Sequence, residues 1–339
     1  MDRVRKLIHA QEEDVYPYTG AGVTVALLDT GIAMHPDFAD RVIGFRDFVG
    51  TSRMPYDDCG HGTHVAGCLC GSGACSGGLY AGVAPGCRIL SGKVLDEKGD
   101  GTISNMAAGI EWILDNRDLY QIKILNISVS MEAKHSMEAK RSMEAKRFME
   151  GKHFMEQRSY MEQRSSMEEA EHVRRMRYLV ACLERVWDAG IFVVVAAGNR
   201  GPAAGSISPL GASRKVVTVG CHDGMACYGR KNSCEAYSGR GPAGTELKKP
   251  DIVAPGTDIM SCSAGFRQTM RGCRDAYVVK NGTSMSTPLV AGAAALCLQK
   301  YPEYSNEQIK RRILWSATDL GEAWSKQGWG MLNVERALR

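Results

Sequence analysis

One serine is placed to act as a nucleophile, in the segment NGTSMSTP. Ser284 follows Gly282 in a tight turn and precedes a stretch that is apolar for almost three helical turns. A serine hydroxyl needs a base before it can attack a carbonyl, and the motifs DTG and HGTH supply the candidates. This pattern predicts acyl transfer by Ser284, with His61 as general base and Asp29 fixing the imidazole tautomer.

Each of these motifs also has a simpler interpretation. DTG alone is typical of a turn, and NGTSMSTP alone could bind phosphate. His61 and His64 are three residues apart and could suggest a metal, but the HGTH motif lacks the glutamate of HExxH and no third ligand is evident. We therefore assign His64 and Ser286 to structural roles, and we expect Pro288 in the first helical turn.

A fourth polar residue follows the apolar run IFVVV. Asn199 stands at the predicted carboxyl end of that strand, where its amide can donate a hydrogen bond to an oxyanion.

Short apolar runs alternate with longer helical patterns from Val23 onward, which predicts an α/β domain with a parallel sheet. A helix through Met176 and Trp187 is expected to end with Gly190 beyond its last turn. The predicted strands are VTVALLD, ILSGKVL, IKILNIS, IFVVVAA and KVVTVG.

One segment interrupts this pattern. Residues 131–166 consist of six hexapeptides that each begin with methionine. A six-residue step turns a helix by about 600°, so successive methionines lie about 120° apart and form no apolar stripe. We expect a solvated helical or disordered surface arm inserted into a single catalytic domain spanning 1–339.

Composition limits the kinds of partner and compartment. The chain is 44% hydrophobic, and its net charge is only +4, so neither nucleic acid nor an anionic membrane is expected as a partner. The charged N-terminal segment lacks an apolar export signal, which favours a cytoplasmic protein unless the chain is a processed form. The twelve cysteines are accordingly expected to remain thiols.

Four motifs together, VALLDTG, GHGTHVAG, VVVAAGN and NGTSMSTP, resemble those of subtilisin-like serine proteases in order and spacing. The resemblance extends from about Gly20 to the C-terminus and is greatest to the intracellular or AprX-like branch. It implies a three-layer α/β/α sandwich with a central, mostly parallel sheet. It also implies an endopeptidase of broad specificity that needs no cofactor for its chemistry.

The resemblance also implies how a peptide or protein substrate binds. The substrate would lie as an extended strand between two edge segments, and a third segment would wall the first specificity pocket. Structural calcium is implied as well, although the loop GSGACSGGLYAG has few of the oxygen ligands that calcium prefers. The expected substrate-binding residues are Gly99, Asp100 and Gly101, then Ser128, Val129 and Ser130, and finally Ala196, Ala197 and Gly198.

Two alternatives to a hydrolytic endopeptidase remain at this stage. One is a transpeptidase, in which an amine intercepts the acyl-enzyme. The other is an inactive relative used for binding or regulation, which the intact set of Asp29, His61, Asn199 and Ser284 argues against.

Overall fold

A computed structural model describes residues 1–11, 13, 15–129, 153–224, 233–242, 244–270 and 272–339, with the side chains of 153–166 left out. A seven-stranded sheet of parallel strands lies at its centre, in the order β2-β3-β1-β4-β5-β6-β7. Its strands are β1 (Thr24–Asp29), β2 (Val42–Asp47), β3 (Arg88–Lys93), β4 (Ile122–Ile127), β5 (Phe192–Ala196), β6 (Val217–Cys221) and β7 (Ile252–Ala254).

The strand order reverses at β1, because the chain first builds β2 and β3 on one side and then β4 to β7 on the other. All six residues of β1 are buried, as expected of a central strand covered on both faces. Sheets of this kind place their functional crevice beyond the carboxyl ends of the strands, at such a reversal point. Asp29, the last residue of β1, lies there.

Helices cover the sheet, and short antiparallel pairs lie beside it. Strand β8 (Ile259–Cys262) pairs with β11 (Tyr277–Lys280), and β9 (Arg267–Thr269) pairs with β10 (Gly272–Arg274). The α-helices are α1 (Asp2–Leu7), α2 (His61–Cys70), α3 (Ile103–Asp115), α4 (His153–Asp188), α5 (Thr283–Lys300), α6 (Asn306–Trp315), α7 (Trp324–Gln327) and α8 (Val334–Leu338). Within the described residues, no helix combines the length and apolarity needed to cross a membrane.

The parallel α/β architecture predicted from the sequence is confirmed, including all five predicted strands. Strands β2 and β7 were not predicted. The residues of β2 are half-buried or exposed without alternation, and β7, although apolar and buried, has only three residues.

The C-terminal part of helix α4 packs into the core. Among its described side chains, those of residues 167–188, burial begins at Met176, whereas residues 167–175 are mostly exposed. The predicted end at Gly190 is confirmed, since the N–H groups of Gly190 and Ile191 donate to the carbonyls of Trp187 and Val186. The helix also includes residues 153–166 of the hexapeptide segment, while residues 131–152 of that segment lie outside the described residues.

The cysteines depart from expectation at one place. Cys221 and Cys234 form a disulfide, with their Cα atoms 5.6 Å apart. The prediction of thiols was wrong for this pair, because the fold brings together two positions whose sequence separation of 13 carries no recognisable motif. Nine other described cysteines are free thiols, and most of them are buried.

Candidate active site

The side chain of Asp29 is directed at the helix that begins with His61. Asp29 is only 2% exposed, and its Oδ1 atom accepts hydrogen bonds from the Thr30 N–H at 2.7 Å and from His61 Nδ1 at 2.6 Å. A carboxylate acceptor at Nδ1 fixes the neutral imidazole with its proton on that nitrogen. The lone pair of Nε2 is then available to accept a proton.

Burial and charge act in opposite directions on His61. Burial lowers the pKa of its imidazole, whereas the negative charge of Asp29 and their hydrogen bond raise it, and the net effect is a pKa above the ordinary 6.5. The pairing with Asp29 therefore makes the histidine a stronger base than burial alone would allow.

The approach of α2 to β1 requires a glycine at position 62. A Cβ atom there would lie 2.2 Å from the carbonyl oxygen of Gly31 and 3.2 Å from the Cβ of Asp29. Such contacts would push the start of α2 away from the end of β1. The glycine of the HGTH motif thus allows the short contact between His61 and Asp29.

Asp57 organises the turn before His61, and sequence reasoning missed it. Its Oδ1 accepts from the Thr30 hydroxyl at 2.8 Å and the Gly60 N–H at 2.7 Å, while its Oδ2 accepts from the N–H and the hydroxyl of Thr63. A carboxylate at a helix N-terminus satisfies free N–H groups and complements the helix dipole. An acidic residue shortly before a predicted helix was the available signal.

Ser284 is the second residue of α5 and is half-buried. The N–H groups of the first turn have no acceptor within the helix, so the Ser284 N–H is available to bind an oxyanion. Pro288 lies in the second turn, because the helix begins at Thr283. The prediction that it lies in the first turn was wrong. Without an N–H, Pro288 cannot donate to the Ser284 carbonyl.

Asn199 is held by the residue next to the nucleophile. Its Oδ1 accepts from the Thr283 N–H at 3.1 Å and the Thr283 hydroxyl at 3.0 Å. Since a backbone N–H requires an acceptor, these contacts fix the amide with its NH₂ group free to face the cleft. Gly282 has φ +134, and a Cβ on it would lie 3.3 Å from Asn199 Nδ2, so a side chain there would disturb this amide.

The two halves of the site meet at one edge of the sheet. Asp29 is the last residue of β1 and Asn199 lies just after β5, and these two strands are separated in the sheet only by β4. Each contacts the N-terminus of a helix, α2 or α5, and these two helices pack against each other. The fold thereby gathers Asp29, His61, Asn199 and Ser284 at the carboxyl edge.

The first expected substrate edge is a tight loop after β3. Asp96 forms hydrogen bonds with both the carbonyl and the N–H of Asp100. The Asp96 N–H donates to the Asp100 carbonyl, and the Asp96 carboxylate accepts from the Asp100 N–H. Gly101 forms an isolated bridge with Leu95. The Gly99 N–H also donates to the Asp96 carbonyl, so backbone hydrogen bonds within the loop define its shape.

The second edge and the pocket wall follow neighbouring strands. Ser128 and Val129 are buried directly after β4, and the Ser128 hydroxyl accepts from the Asn126 amide at 2.9 Å. Ser130 lies outside the described residues. Ala196, Ala197 and Gly198 continue from β5, where Ala197 and Gly198 accept hydrogen bonds from the N–H groups of Ser208 and Gly239.

The two residues assigned to structural roles are held by backbone carbonyls. His64 is fully buried, its Nε2 lies 2.9 Å from the Ile259 carbonyl, and burial lowers the pKa of its imidazole to about 3. The hydroxyl of Ser286 donates to the Pro255 carbonyl at 3.1 Å. Both structural assignments made from the sequence are confirmed.

The loop at 71–82 does not fit a calcium ion. Its Gly73 and Cys75 N–H groups donate to the buried Asp37 carboxylate, at 2.9 Å and 3.3 Å, and the Tyr277 hydroxyl donates to the same carboxylate. Calcium needs six to eight oxygen ligands, whereas this carboxylate is already surrounded by donors.

A serine at a helix N-terminus, an Asp–His pair and a side-chain amide are the groups that acyl transfer by a serine requires. Residues 20–330 match the model of the subtilase family, Peptidase S8, and the chain belongs to that family. It is a serine endopeptidase that acts on peptide or protein substrates and needs no cofactor for its chemistry.

Individual relatives support this assignment. The chain is 35% identical to serine protease AprX of Bacillus subtilis (strain 168), across the whole of this chain and 71% of AprX. It is 34% identical to subtilisin Savinase of Lederbergia lenta, across 95% of this chain and 92% of that protein. The solved structure of sphericase superimposes with a TM-score of 0.71 at 25% identity, covering 94% and 93% of the two chains. The resemblance noted from the motifs is confirmed.

Proposed function

We propose that this endopeptidase has broad specificity and binds an extended segment of its substrate. The observation that carries the proposal is the position of the two edge segments, which follow β3 and β4 on either side of the central strand β1. Recognition through backbone groups is largely independent of side chains. Ala196, Ala197 and Gly198 would wall the first pocket without adding a charge to it.

In this proposal His61 takes the proton of Ser284 as the hydroxyl attacks the peptide carbonyl. Asp29 stabilises the imidazolium, and the Asn199 amide with the Ser284 N–H holds the oxyanion. The imidazolium then protonates the leaving amine, and water releases the acyl group by the reverse proton path. The observations that support these roles are the Asp29–His61 contact and the Thr283–Asn199 contacts.

The test is the digestion of an unbiased peptide library, with product masses compared between the wild type and Ser284→Ala. We expect many cleavage sites that share no single side chain, each adding one water to the two products, and none with the variant. Cleavage restricted to one sequence would contradict broad specificity. Products joined to a second amine would instead indicate transpeptidation.

We further propose that the hexapeptide arm limits access to the cleft. Helix α4 ends at Asp188, just before the start of β5, so its other end runs toward the carboxyl edge. Residues 176–188 rise about 20 Å, roughly the length of β4, and residues 153–175 continue for about another 35 Å. The repeats also begin directly after the expected substrate edge that ends at Ser130.

Deletion of residues 131–166 tests this proposal. Because the arm is expected to exclude bulky substrates, the deletion should raise the rate on a folded protein about 10-fold, with an unchanged rate on a short chromogenic peptide. The peptide serves as the internal control for an intact active site. Equal rates on the folded protein before and after deletion would exclude a role in access.

A further inference from the structure

Lys93 places a buried cation at the carboxyl end of β3. Its side chain is 1% exposed, although lysine is rarely buried without a partner. An unpaired ammonium in the protein interior would lose its solvation at a large cost in free energy. Its contacts must therefore compensate for that loss.

The ammonium has an acceptor for each of its three N–H bonds. Lys93 Nζ lies 2.7 Å from the Thr30 carbonyl, 2.9 Å from the Leu95 carbonyl and 2.6 Å from Asp58 Oδ1. Its fourth neighbour is the ring of Tyr56, whose centroid is 4.9 Å away and can interact with the cation. The side chain is thus fixed from all sides.

These acceptors belong to three different parts of the site. Thr30 directly follows Asp29, and Asp58 lies in the loop that leads to His61. Leu95 begins the edge loop and is bridged to Gly101. A single ammonium therefore connects the carboxylate, the base and the substrate edge, through elements that are far apart in sequence.

We propose that Lys93, paired with Asp58, is a positioning residue. It holds the turn after Asp29, the loop before His61 and the substrate edge in fixed positions relative to one another. This inference rests on the roles proposed above for Asp29, His61 and the edge segments. Asp58 is 39% exposed, so its carboxylate can be replaced without creating a cavity.

The test compares Asp58→Asn, Lys93→Met and the double variant. Because hydrogen bonds to charged groups are stronger than those between neutral groups, we expect kcat/KM to fall about 10-fold in Asp58→Asn and about 100-fold in Lys93→Met. On a long peptide we expect both a higher KM and a lower kcat. A short ester that does not reach the edge should lose only kcat. The double variant should match Lys93→Met, since paired residues are not additive.

A second readout is independent of catalysis. The ring of His61, identified by comparison with His61→Gln, is titrated by NMR in the wild type and in Asp58→Asn. We expect the His61 pKa to fall in the variant, because the contact with Asp29 loosens. This titration remains informative if the wild type fails to react with a fluorophosphonate, a result that would count against the proposed function alone.

Matched controls separate positioning from general effects. Lys123→Met removes an exposed lysine from strand β4, and Asp118→Asn removes a carboxylate that is 85% exposed. Both should behave as the wild type. The proposal is overturned if Asp58→Asn leaves the kinetics and the His61 titration unchanged. It is also overturned if Lys93→Met lowers the Tm without changing either readout.

Discussion

Ser284→Ala is expected to lower kcat by about 10⁶-fold, a magnitude known from subtilisin itself. The variant lacks the atom that forms the acyl-enzyme, so what remains is the background rate aided by Asn199 and by substrate binding. Reaction with a fluorophosphonate, followed by mass spectrometry of the labelled peptide, should find the label on Ser284 of the wild type and none on the variant.

The matched control is Ser286→Ala, two residues along the same helix. The Ser286 hydroxyl donates to the Pro255 carbonyl, so its loss should cost about 1 kcal/mol of stability. Labelling and turnover should remain within a few-fold of the wild type. A label on Ser286, or turnover by Ser284→Ala, would show that Ser284 is not the nucleophile.

Asp29→Asn should lower kcat by about 10⁴-fold, the magnitude known for the same substitution in a chymotrypsin-type Ser–His–Asp triad. The amide keeps the size of the side chain but no longer favours the imidazole tautomer with its proton on Nδ1. It also removes the charge that raises the pKa of His61, so burial should then bring that pKa below its ordinary value. Because catalysis needs neutral imidazole, the rising limb of kcat/KM should move to lower pH while the maximum falls.

The pH profile of kcat/KM, measured for both proteins, checks this expectation. Stability gives an independent check. A raised His61 pKa stabilises the fold below the unfolded value of about 6.5, and this contribution is lost as the pH rises through the folded value. The wild type should therefore exceed Asp29→Asn in Tm by more at pH 5 than at pH 9. An unshifted limb would show that Asp29 does not control the protonation of His61.

Sequence reasoning identified the elements whose pattern is local. The five predicted strands are runs of buried apolar residues, and the four site residues stand in short motifs at strand ends or helix starts. The structure brings Asp29 to His61 and Asn199 to the start of α5 because the carboxyl ends of parallel strands share one edge.

The features that were missed depend on contacts between distant segments. Asp57, Lys93 and Thr283 acquire their roles from partners supplied by other elements, and none has a periodic signature of its own. The Cys221–Cys234 disulfide is of the same kind, because it joins the end of β6 to a loop. Strand β2 was missed since its half-buried residues resemble a surface loop.

Helix α4 packs against the core through its C-terminal part, and this affects how the chain can change in evolution. Among its described side chains, burial begins at Met176, so a change of length ahead of that residue leaves the described core contacts of the helix in place. Longer connections cost little additional entropy. Within the helical part, one added repeat would extend the helix by about 9 Å and turn its far end by about 240° beyond a full turn. The number of repeats would therefore set both the length of the arm and the direction in which its far end leaves the helix. Selection could change this number independently of the catalytic residues.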